Sequence, residues 1–405
     1  MVTQGRGPTA AVEELMRRLR RSLHARPEVG LHLPATQDMI CRALDGLDMN
    51  VTLGSRISSV VAIVEGNVDG PTVVLRADMD ALEVDEYVDV EYRSTTPGVM
   101  HACGHDLHAA MLVGAAHILA AQRSRIRGRV ALVWQPGEEG HDGMRAMLDE
   151  GLIEHVGGHD RIVAAFGLHV LSRGLPTGVF SGRSGASHAS TGTFTVTIQG
   201  AGGHAGFPHE TRDPVPVAAE LVLALQSRVT RSFDVFDPVV ITVSSIRAGT
   251  APNAIPDSAT VHGSARTFSS TNESAVEPMI RELSSGISAA HGLRVRCEYV
   301  PGYPPVLNDP GESEFVQSVV EDLFGQQRYR ELAKPLPAGD DFSRLAELVP
   351  SAFVLLGAEM GIDDCVLHPN HSPHAEFDDS VMPDGASLLA EIAIRRLASA
   401  THDHE

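Results

Sequence analysis

Apolar residues recur at helical spacing from about residue 12 to residue 47, and two short apolar runs follow them. These runs, SSVVAIVEG (58–66) and TVVLRADMD (72–80), have the length of buried strands and are separated by turn-forming residues. GHDLHAAMLVGAAHILAAQ (104–122) is a long helical pattern, and GRVALVWQPGEEG (128–140) is a further apolar strand that leads into a glycine-rich, acidic turn. Because strands alternate with helices, the pattern predicts a layered α/β domain.

The pattern changes after residue 185. Six elements follow in the order β-α-β-β-α-β: TFTVTIQG (193–200), a helix over 214–227, VVITVSSI (239–246), ATVHGSARTF (259–268), a helix near 274–291 and LRVRCEYV (293–300). This is the order of a ferredoxin-like α+β domain, which is complete in itself. From about residue 301 the chain returns to an α/β pattern. We therefore predict one α/β domain in two parts, 1–186 and 301–405, interrupted by an inserted domain over 187–300.

Composition narrows the class of protein. The chain has 32 basic and 52 acidic residues and a net charge of -20, so it lacks the basic surface of a nucleic-acid-binding protein. No apolar run reaches the ~20 residues that span a bilayer, and the first residues lack the apolar core of a signal peptide. The four cysteines are widely scattered, which favours reduced thiols. We expect a cytoplasmic protein with no nucleic-acid or membrane partner.

The segment GVMHACGHDLH, at the start of the helix predicted over 104–122, combines three histidines with a cysteine and an aspartate. Thiolate and imidazole are good ligands for divalent transition metals, and a helix start holds a ligand rigidly. Cys103 and His105 are therefore candidate metal ligands. For His108 and His117 the better interpretation is that they are incidental histidines on a surface helix.

Two adjacent carboxylates, Glu138 and Glu139, follow an apolar strand in QPGEEG (135–140). Active sites of α/β sheets lie beyond the carboxyl ends of strands, and neighbouring carboxylates repel each other unless cations intervene. One of them can bind a metal while the other acts as a general base on metal-activated water. A solvated surface turn is the alternative, against which the preceding buried strand argues.

Two further histidines stand in weaker contexts. His169, in GLHV, ends an apolar run where a lone histidine is commonly a core residue, and His371 lies in PNHSPH (369–374). With the cysteine, histidine and glutamate candidates above, they make five ligands. Five are enough for two metal ions if one ligand and a hydroxide bridge them.

Seven motifs together resemble the aminoacylase, hippurate hydrolase and auxin-conjugate hydrolase branch of the carboxypeptidase G family: RADMDAL (76–82), MHACGHDLH, QPGEEG, GLHV, GGHAGFPHETRDPV (202–215), GTAPNAIP (249–256) and NHSP. The likeness spans nearly the whole chain. It implies an α/β dinuclear-metallopeptidase catalytic domain, over 1–186 and 301–405. It also implies that 187–300 form a ferredoxin-like α+β lid that mediates dimerisation.

The resemblance implies roles for the candidate ligands. Cys103 is implied to bridge the two metal ions and Glu138 to be the catalytic base, while the other ligands complete the two coordination shells: His105, Glu139, His169 and His371. Asp78 stands where other members carry a different motif, His-x-Asp, and is implied to orient a ligand from outside the coordination shell. The aromatic residue expected soon after the last ligand comes late, which leaves His368 and His374 as possible substitutes for His371.

The resemblance also implies roles for three residues of the predicted lid. The resemblance implies that His204, in a glycine-rich loop, reaches into the partner subunit and holds the oxyanion. Asn253 and Arg266 resemble residues that grip the substrate carboxylate, a task that suits a guanidinium group. For each of the three, a purely structural role is the alternative. Asp213, followed by Pro214, is predicted to be the N-cap of a helix and to have no chemical role.

The sequence therefore predicts a metal-dependent amidohydrolase that cleaves the amide bond of N-acyl amino acids by metal-activated water. Its cofactor is expected to be two divalent ions per subunit, manganese or zinc, and its assembly a homodimer through the lid. A dipeptidase or an N-acetyl-diamino-acid deacetylase of the same family is the alternative, because it would share every ligand. A non-catalytic binding protein fits poorly with the retained pair of Glu138 and Glu139.

Overall fold

The computed structural model describes residues 7–361 and 367–400, and the chain divides into two compact units. The first unit comprises Met1–Ser187, Leu307–Lys334 and Asp341–Glu405, and the second comprises His188–Val306 and Pro335–Asp340. Within the described ranges, no helix has both the length and the apolar character needed to cross a membrane.

In the described ranges the strands are β1 (Asn50–Leu53), β2 (Val60–Glu65), β3 (Val68–Asp78), β4 (Arg127–Gln135), β5 (Ile162–Leu171), β6 (Phe180–Gly182), β7 (Gly185–His188), β8 (Gly192–Gln199), β9 (Gly203–His204), β10 (Val240–Ala248), β11 (Ala254–Ile255), β12 (Ser258–Arg266), β13 (Arg294–Pro301), β14 (Val306–Asn308), β15 (Tyr329–Glu331) and β16 (Ser351–Gly357). The α-helices are α1 (Ala10–Ala25), α2 (Pro34–Leu44), α3 (His105–Ala121), α4 (Gly143–Asp149), α5 (Leu152–His155), α6 (Pro214–Ser232), α7 (Ser270–Ala290), α8 (Pro310–Phe324), α9 (Ser343–Ala346) and α10 (Met382–Ala400).

An eight-stranded mixed sheet forms the centre of the first unit, in the order β1-β2-β4-β3-β5-β16-β6-β15. Its four middle strands, β4, β3, β5 and β16, are parallel to one another. Successive residues of β2 and β4 are buried on both faces of the sheet. Continuous apolar runs such as VVAIV and VALVW therefore form strands here, because a sheet covered on both faces needs no polar face. The mixed α/β class predicted from the sequence is confirmed.

Helix α3 packs against α1, α10 and the sheet, and nearly all of its residues are buried. Its first turn is tied to α1 by an ion cluster, in which buried Asp106 lies 2.9 Å from Nε of Arg20 and 2.8 Å from Nδ1 of His24. The expectation of a surface helix is therefore wrong. A helix that is apolar on all sides has its place inside the protein.

In the second unit, four strands form an antiparallel sheet in the order β10-β12-β8-β13. Along the chain these strands and two long helices follow one another in the order β-α-β-β-α-β, namely β8, α6, β10, β12, α7 and β13. The short strands β9 and β11 pair separately. Along β8 buried residues alternate with more exposed ones, and Phe194, Val196 and Ile198 pack with residues of α6 and α7 in one apolar core. The side chain of Asp213 accepts a hydrogen bond from the backbone N of Val215, so the predicted N-cap of α6 is confirmed.

Candidate metal centre

Polar side chains of the first unit gather at one edge of the eight-stranded sheet. Strands β3, β4 and β5 are parallel, so their carboxyl ends meet there. Asp78 is the last residue of β3, the turn with Glu138 and Glu139 follows β4, and His169 lies near the end of β5. Cys103 directly precedes the glycine at the start of α3. Sheets of this type place their active sites at this edge.

Cys103 is the centre of the cluster. Its Sγ lies 3.4 Å from Nε2 of His169 and 3.2 Å from Nε2 of His371. Two groups of ligand atoms, each with all atoms within 4.8 Å of one another, include this sulfur: one with His105 and His169, the other with Glu139 and His371. The sulfur of Cys103 therefore belongs to two groups of candidate ligands, and thiolate, imidazole and carboxylate donors suit divalent metal ions.

Backbone carbonyls orient two of the histidine rings. Nδ1 of His105 lies 2.9 Å from the carbonyl O of Asp80, and Nδ1 of His169 lies 2.8 Å from the carbonyl O of Val170. A carbonyl oxygen only accepts hydrogen bonds, so Nδ1 carries a proton in both rings. The hydrogen bond at Nδ1 therefore directs Nε2 of each ring toward Cys103, as in histidines that bind metals.

One buried nitrogen of the cluster lacks an oxygen or nitrogen partner at hydrogen-bond distance among the described residues. This atom is Nε2 of His105, and carboxylate oxygens of Asp78 and Glu139 lie 3.8 Å and 3.9 Å from it. Buried polar atoms are otherwise almost always hydrogen-bonded. Together with thiolate, imidazole and carboxylate donors around one sulfur, this atom indicates that the residues present fit divalent metal ions.

The electrostatics of the cluster agree with a cationic occupant. Burial raises the pKa of the Cys103 thiol, but the imidazoles of His169 and His105 outweigh it and hold that pKa well below its usual range. Hydrogen bonds to Cys103 and Glu139 raise the pKa of His371 to about 10. Imidazole protons thus balance the thiolate charge, and divalent ions would displace these protons on binding.

Asp80 organises the acidic turn and was not singled out from the sequence. Its two carboxylate oxygens accept hydrogen bonds of 3.0 Å from the backbone N atoms of Glu138 and Glu139. Its own carbonyl O orients His105. The signal was present, since Asp80 belongs to the motif RADMDAL (76–82) and stands two residues after Asp78.

Asp78 makes hydrogen bonds to groups other than the predicted ligands. Its Oδ1 lies 2.5 Å from Nδ1 of His108, and its Oδ2 lies 2.6 Å from Nη1 of Arg76. Of the predicted ligands, His105 has its Nε2 3.8 Å from Oδ1 of Asp78, so the role of Asp78 in orienting a ligand stays a prediction. His108 is buried, and its Nε2 accepts a 2.8 Å hydrogen bond from the backbone N of Val170. The interpretation of His108 as an incidental surface residue is therefore wrong.

The last predicted ligand had two possible substitutes nearby. Nε2 of His371 lies 3.2 Å from Oε1 of Glu139 as well as 3.2 Å from the cysteine sulfur. The rings of His368 and His374 instead lie against each other, with centroids 4.9 Å apart. Of the three histidines, only His371 belongs to a group of potential metal ligands found in the described ranges.

Gly104, between two of the predicted ligands, has a φ of 86°. A Cβ at this position would lie 2.4 Å from Cγ2 of Val170 and 3.1 Å from Cε1 of Phe377. We expect Gly104→Ala to lower the free energy of unfolding by about 1–2 kcal/mol for the left-handed backbone and by about 1–3 kcal/mol more for overpacking. Urea unfolding of the metal-free protein measures this change.

Gly46→Ala is the matched control, because Gly46 has a φ of 80° and its Cβ would meet nothing within 4 Å. Its substitution should show the backbone cost alone. Equal losses in the two variants would contradict the predicted close packing around the start of α3.

The remaining predicted site residues lie in the second unit. His204, on β9, is exposed, and its Nδ1 accepts a 3.0 Å hydrogen bond from the backbone N of Gly206. Strand β9 pairs with β11, and the backbone N of Ala205 donates to the carbonyl O of Asn253 at 3.0 Å. Arg266, the last residue of β12, is half-buried and has no carboxylate within ion-pair distance among the residues described; burial lowers its pKa.

Comparison with known proteins places this geometry in a family. The chain is 36% identical over 390 residues to the IAA-amino acid hydrolase ILR1-like 2 of Arabidopsis thaliana. The matched region covers 95% of this chain and 86% of that protein. It is 32% identical over 377 residues to the N-acetylcysteine deacetylase of Bacillus subtilis, covering 93% and 95%.

A solved structure shares the fold over the same length. It is that of the Bacillus subtilis YXEP protein, described as a dinuclear metal binding peptidase from M20 family. The TM-score is 0.82 at 28% identity, covering 96% of this chain and 99% of that chain. The family model of peptidase family M20/M25/M40 matches residues 74–395. The chain, with its thiolate-centred ligand cluster at the carboxyl ends of parallel strands, therefore belongs to peptidase family M20/M25/M40.

Proposed function

We propose that the protein is a dinuclear metal amidohydrolase that cleaves the amide bond of N-acyl amino acids. The observation that carries the proposal is the pair of ligand groups that share Cys103, with Glu138 beside them. A carboxylate oxygen of Glu138 lies within 4.8 Å of ligand atoms of both His105 and Glu139. Metal-assisted hydrolysis requires two cation positions and a nearby carboxylate that is not itself a metal ligand. The two ligand groups that share Cys103, together with Glu138, supply these parts.

The ligands in this proposal are Cys103 as the bridge, with His105, Glu139, His169 and His371 around it. Zinc suits the thiolate and imidazoles, while manganese is also admitted by the carboxylate. When bound, such ions lower the pKa of water and polarise a carbonyl group.

Glu138 acts on protons in this mechanism. It accepts the proton of the attacking water and then delivers it to the leaving nitrogen, so that the C–N bond breaks and a free amine departs. Asp80 supports this role, because its carboxylate holds the backbone N atoms of Glu138 and Glu139 and so fixes the turn. Asp78 accepts hydrogen bonds from His108 and Arg76 and so helps to fix the side chains at the same edge of the sheet.

His204 is proposed to hold the oxyanion of the tetrahedral intermediate. Its Nδ1 accepts a backbone hydrogen bond, so the proton of the neutral ring is on Nε2 and is free to be donated. We infer that Asn253 and Arg266 bind the carboxylate of the substrate, which belongs to its amino acid part. An exposed amide next to His204, and a half-buried guanidinium without a carboxylate partner in the part of the chain described, have the right chemistry.

The names of the relatives support acylated amino acids as the substrate class, since one is an IAA-amino acid hydrolase and another an N-acetylcysteine deacetylase. Release of free amine from N-acyl amino acids and dipeptides, with zinc, manganese or no metal added, tests the proposal. We expect turnover of N-acyl amino acids only with metal. Turnover of dipeptides alone would favour the dipeptidase alternative, and metal-independent turnover would overturn the mechanism.

We further propose that the second unit, which has the order of a ferredoxin-like lid, forms a homodimer. Strand β10 is the last strand of its sheet, and most of its residues are exposed. Apolar side chains on β10 and α6 are also exposed, among them Leu223 (73%), Ile246 (49%) and Val240 (44%). An exposed strand edge flanked by apolar side chains is a surface suited to pairing with a second copy.

His204 is expected to act in the active site of the other subunit. If so, two inactive variants should complement each other: His204→Ala lacks an oxyanion donor, and Glu138→Ala lacks the base. Mixed under subunit exchange, half of the dimers contain one chain of each kind, and each of these has one site with both residues intact. Activity should therefore recover to about a quarter of wild type. Steady-state amide hydrolysis before and after exchange measures it.

Each variant alone, taken through the same exchange procedure, is the control and should stay inactive. Subunit exchange is shown separately with differently labelled chains. If exchange is complete and no activity returns, His204 acts within its own chain or has no role in catalysis.

A further inference from the structure

Asn370, the residue before His371, has no part in the mechanism above. Its Nδ2 lies 3.2 Å from the carbonyl O of Cys103 and 3.0 Å from the carbonyl O of Val170. Its Oδ1 lies 3.0 Å from the backbone N of Ser172. One carboxamide therefore connects three segments of the chain, and each segment carries a proposed metal ligand.

The orientation of this carboxamide follows from its partners. A backbone N–H only donates, so the atom beside Ser172 is the oxygen, and the two carbonyl groups need the NH₂ group opposite them. Oδ1 also lies 2.9 Å from Oγ of Ser172, whose hydroxyl is 2.8 Å from the carbonyl O of His368. Both N–H donors of Asn370 are thus used, and its Oδ1 accepts at least the backbone N–H of Ser172. The single hydroxyl proton of Ser172 goes either to this Oδ1 or to the carbonyl O of His368. The side chain is therefore a rigid connection.

The carbonyl of Val170 links Asn370 directly to a ligand. The same oxygen accepts the Nδ1 proton of His169, which directs Nε2 of that ring toward Cys103. The Nδ2 atom of Asn370 also lies 3.8 Å from the sulfur of Cys103. The carboxamide therefore touches both the bridging cysteine and the carbonyl that orients a histidine.

The backbone beside Asn370 is strained. His371 has a φ of 70°, a left-handed conformation that residues other than glycine rarely adopt. Its backbone N donates a 2.8 Å hydrogen bond to the carbonyl O of Ala102. Such a conformation persists only where the surroundings hold it, and here the anchors are this hydrogen bond and the side chain of Asn370.

We propose that Asn370 is a positioning residue that holds Cys103, His169 and His371 in place before metal binds. The inference rests on the proposed function, because it takes these three residues as ligands. Without the carboxamide, the strained segment can relax and His371 can leave the cluster, while His169 loses one of the contacts that fix its orienting carbonyl. Metal then has to order the ligands as it binds. Loss of a residue that orients ligands typically weakens metal binding about 10- to 100-fold.

The test uses full-length protein freed of metal with a chelator and titrated with Co²⁺, whose thiolate charge-transfer absorption reports coordination by Cys103. Asn370→Ala removes every contact of the carboxamide. Asn370→Asp keeps its size and its acceptor oxygen but places a second oxygen opposite two carbonyl groups. Ser372→Ala is the matched control, since Ser372 lies in the same loop and its hydroxyl contacts only the backbone N of His374 among the described residues.

We expect both Asn370 variants to bind Co²⁺ about 10- to 100-fold more weakly than wild type, with unchanged circular dichroism of the metal-free protein and weaker thiolate absorption at equal cobalt. Ser372→Ala should bind as wild type. Wild-type affinity in a folded Asn370 variant would overturn the proposal. If Asn370→Ala does not fold, Asn370→Ser is used instead, because it keeps one hydrogen-bond donor. Weaker Co²⁺ binding by this variant would support the proposal, and wild-type Co²⁺ affinity would overturn it. Failure of the wild type to bind Co²⁺ would instead overturn the proposed metal centre itself.

Discussion

Glu138→Ala is expected to keep both metal ions and to lose amide hydrolysis. The proposed base touches water and the leaving nitrogen, so its removal should lower kcat by about 10²- to 10⁴-fold, the usual contribution of general acid–base catalysis. Elemental analysis of the purified variant and single-turnover hydrolysis measure the two properties separately. Wild-type metal content together with lost turnover is the result that fits the assignment.

Glu139→Ala is the matched comparison, because it removes the neighbouring carboxylate from the same turn. Glu139 belongs to a ligand group with Cys103 and His371, so this variant should lose metal first and activity as a consequence. If both variants bind metal fully, or if Glu138→Ala remains active, the roles of base and ligand are assigned wrongly.

Cys103→Ala is expected to lose most of both metal ions. In the proposed arrangement the bridging thiolate belongs to two coordination shells and each of the other ligands to one, so no other single substitution should affect both ions equally. The measurement is metal content per chain after purification, with two ions expected for wild type. Hydrolysis should fall at least as far as it does in Glu138→Ala, because water activation needs the ions.

Cys41→Ala serves as the control, since Cys41 is also a free cysteine of the first unit but lies in α2. It should retain wild-type metal content. Full metal occupancy in Cys103→Ala would falsify the bridging role, and loss of only one ion would assign the thiolate to a single shell.

Features that depend on neighbouring residues were predictable from the sequence. The apolar runs, the acidic turn after β4 and the N-cap at Asp213 each follow from local spacing or from one side chain near its own backbone. Motif order was enough for the resemblance to a family, and the comparison with known proteins confirms that family. These features could be predicted because their physical causes lie within a few residues of each other.

Partners that are distant in the sequence were not predictable. Arg76 binds Asp341, 265 positions away, with 2.8 Å between Nη2 and Oδ1, and Asp341 also accepts from Gln135 and the backbone N of Met144. Nothing in the acidic segment around Asp341 indicates these contacts. They exist because the folded sheet brings buried donors to a carboxylate that would otherwise be costly to bury.

The same limit explains the error about His108. From the sequence alone, whether a histidine in a helix is buried can be inferred only from the neighbouring residues of the same helix. The three histidines of α3 favoured an exposed helix. Burial of α3 under α1 and α10, and the position of Asp78 across from His108, are decided by tertiary packing. The sequence by itself determined which residue types could bind metal and where the chain could turn. The tertiary structure decided which carboxylate, carbonyl or amide orients each of them, because hydrogen bonds at 3 Å depend on distances that no spacing along the chain encodes.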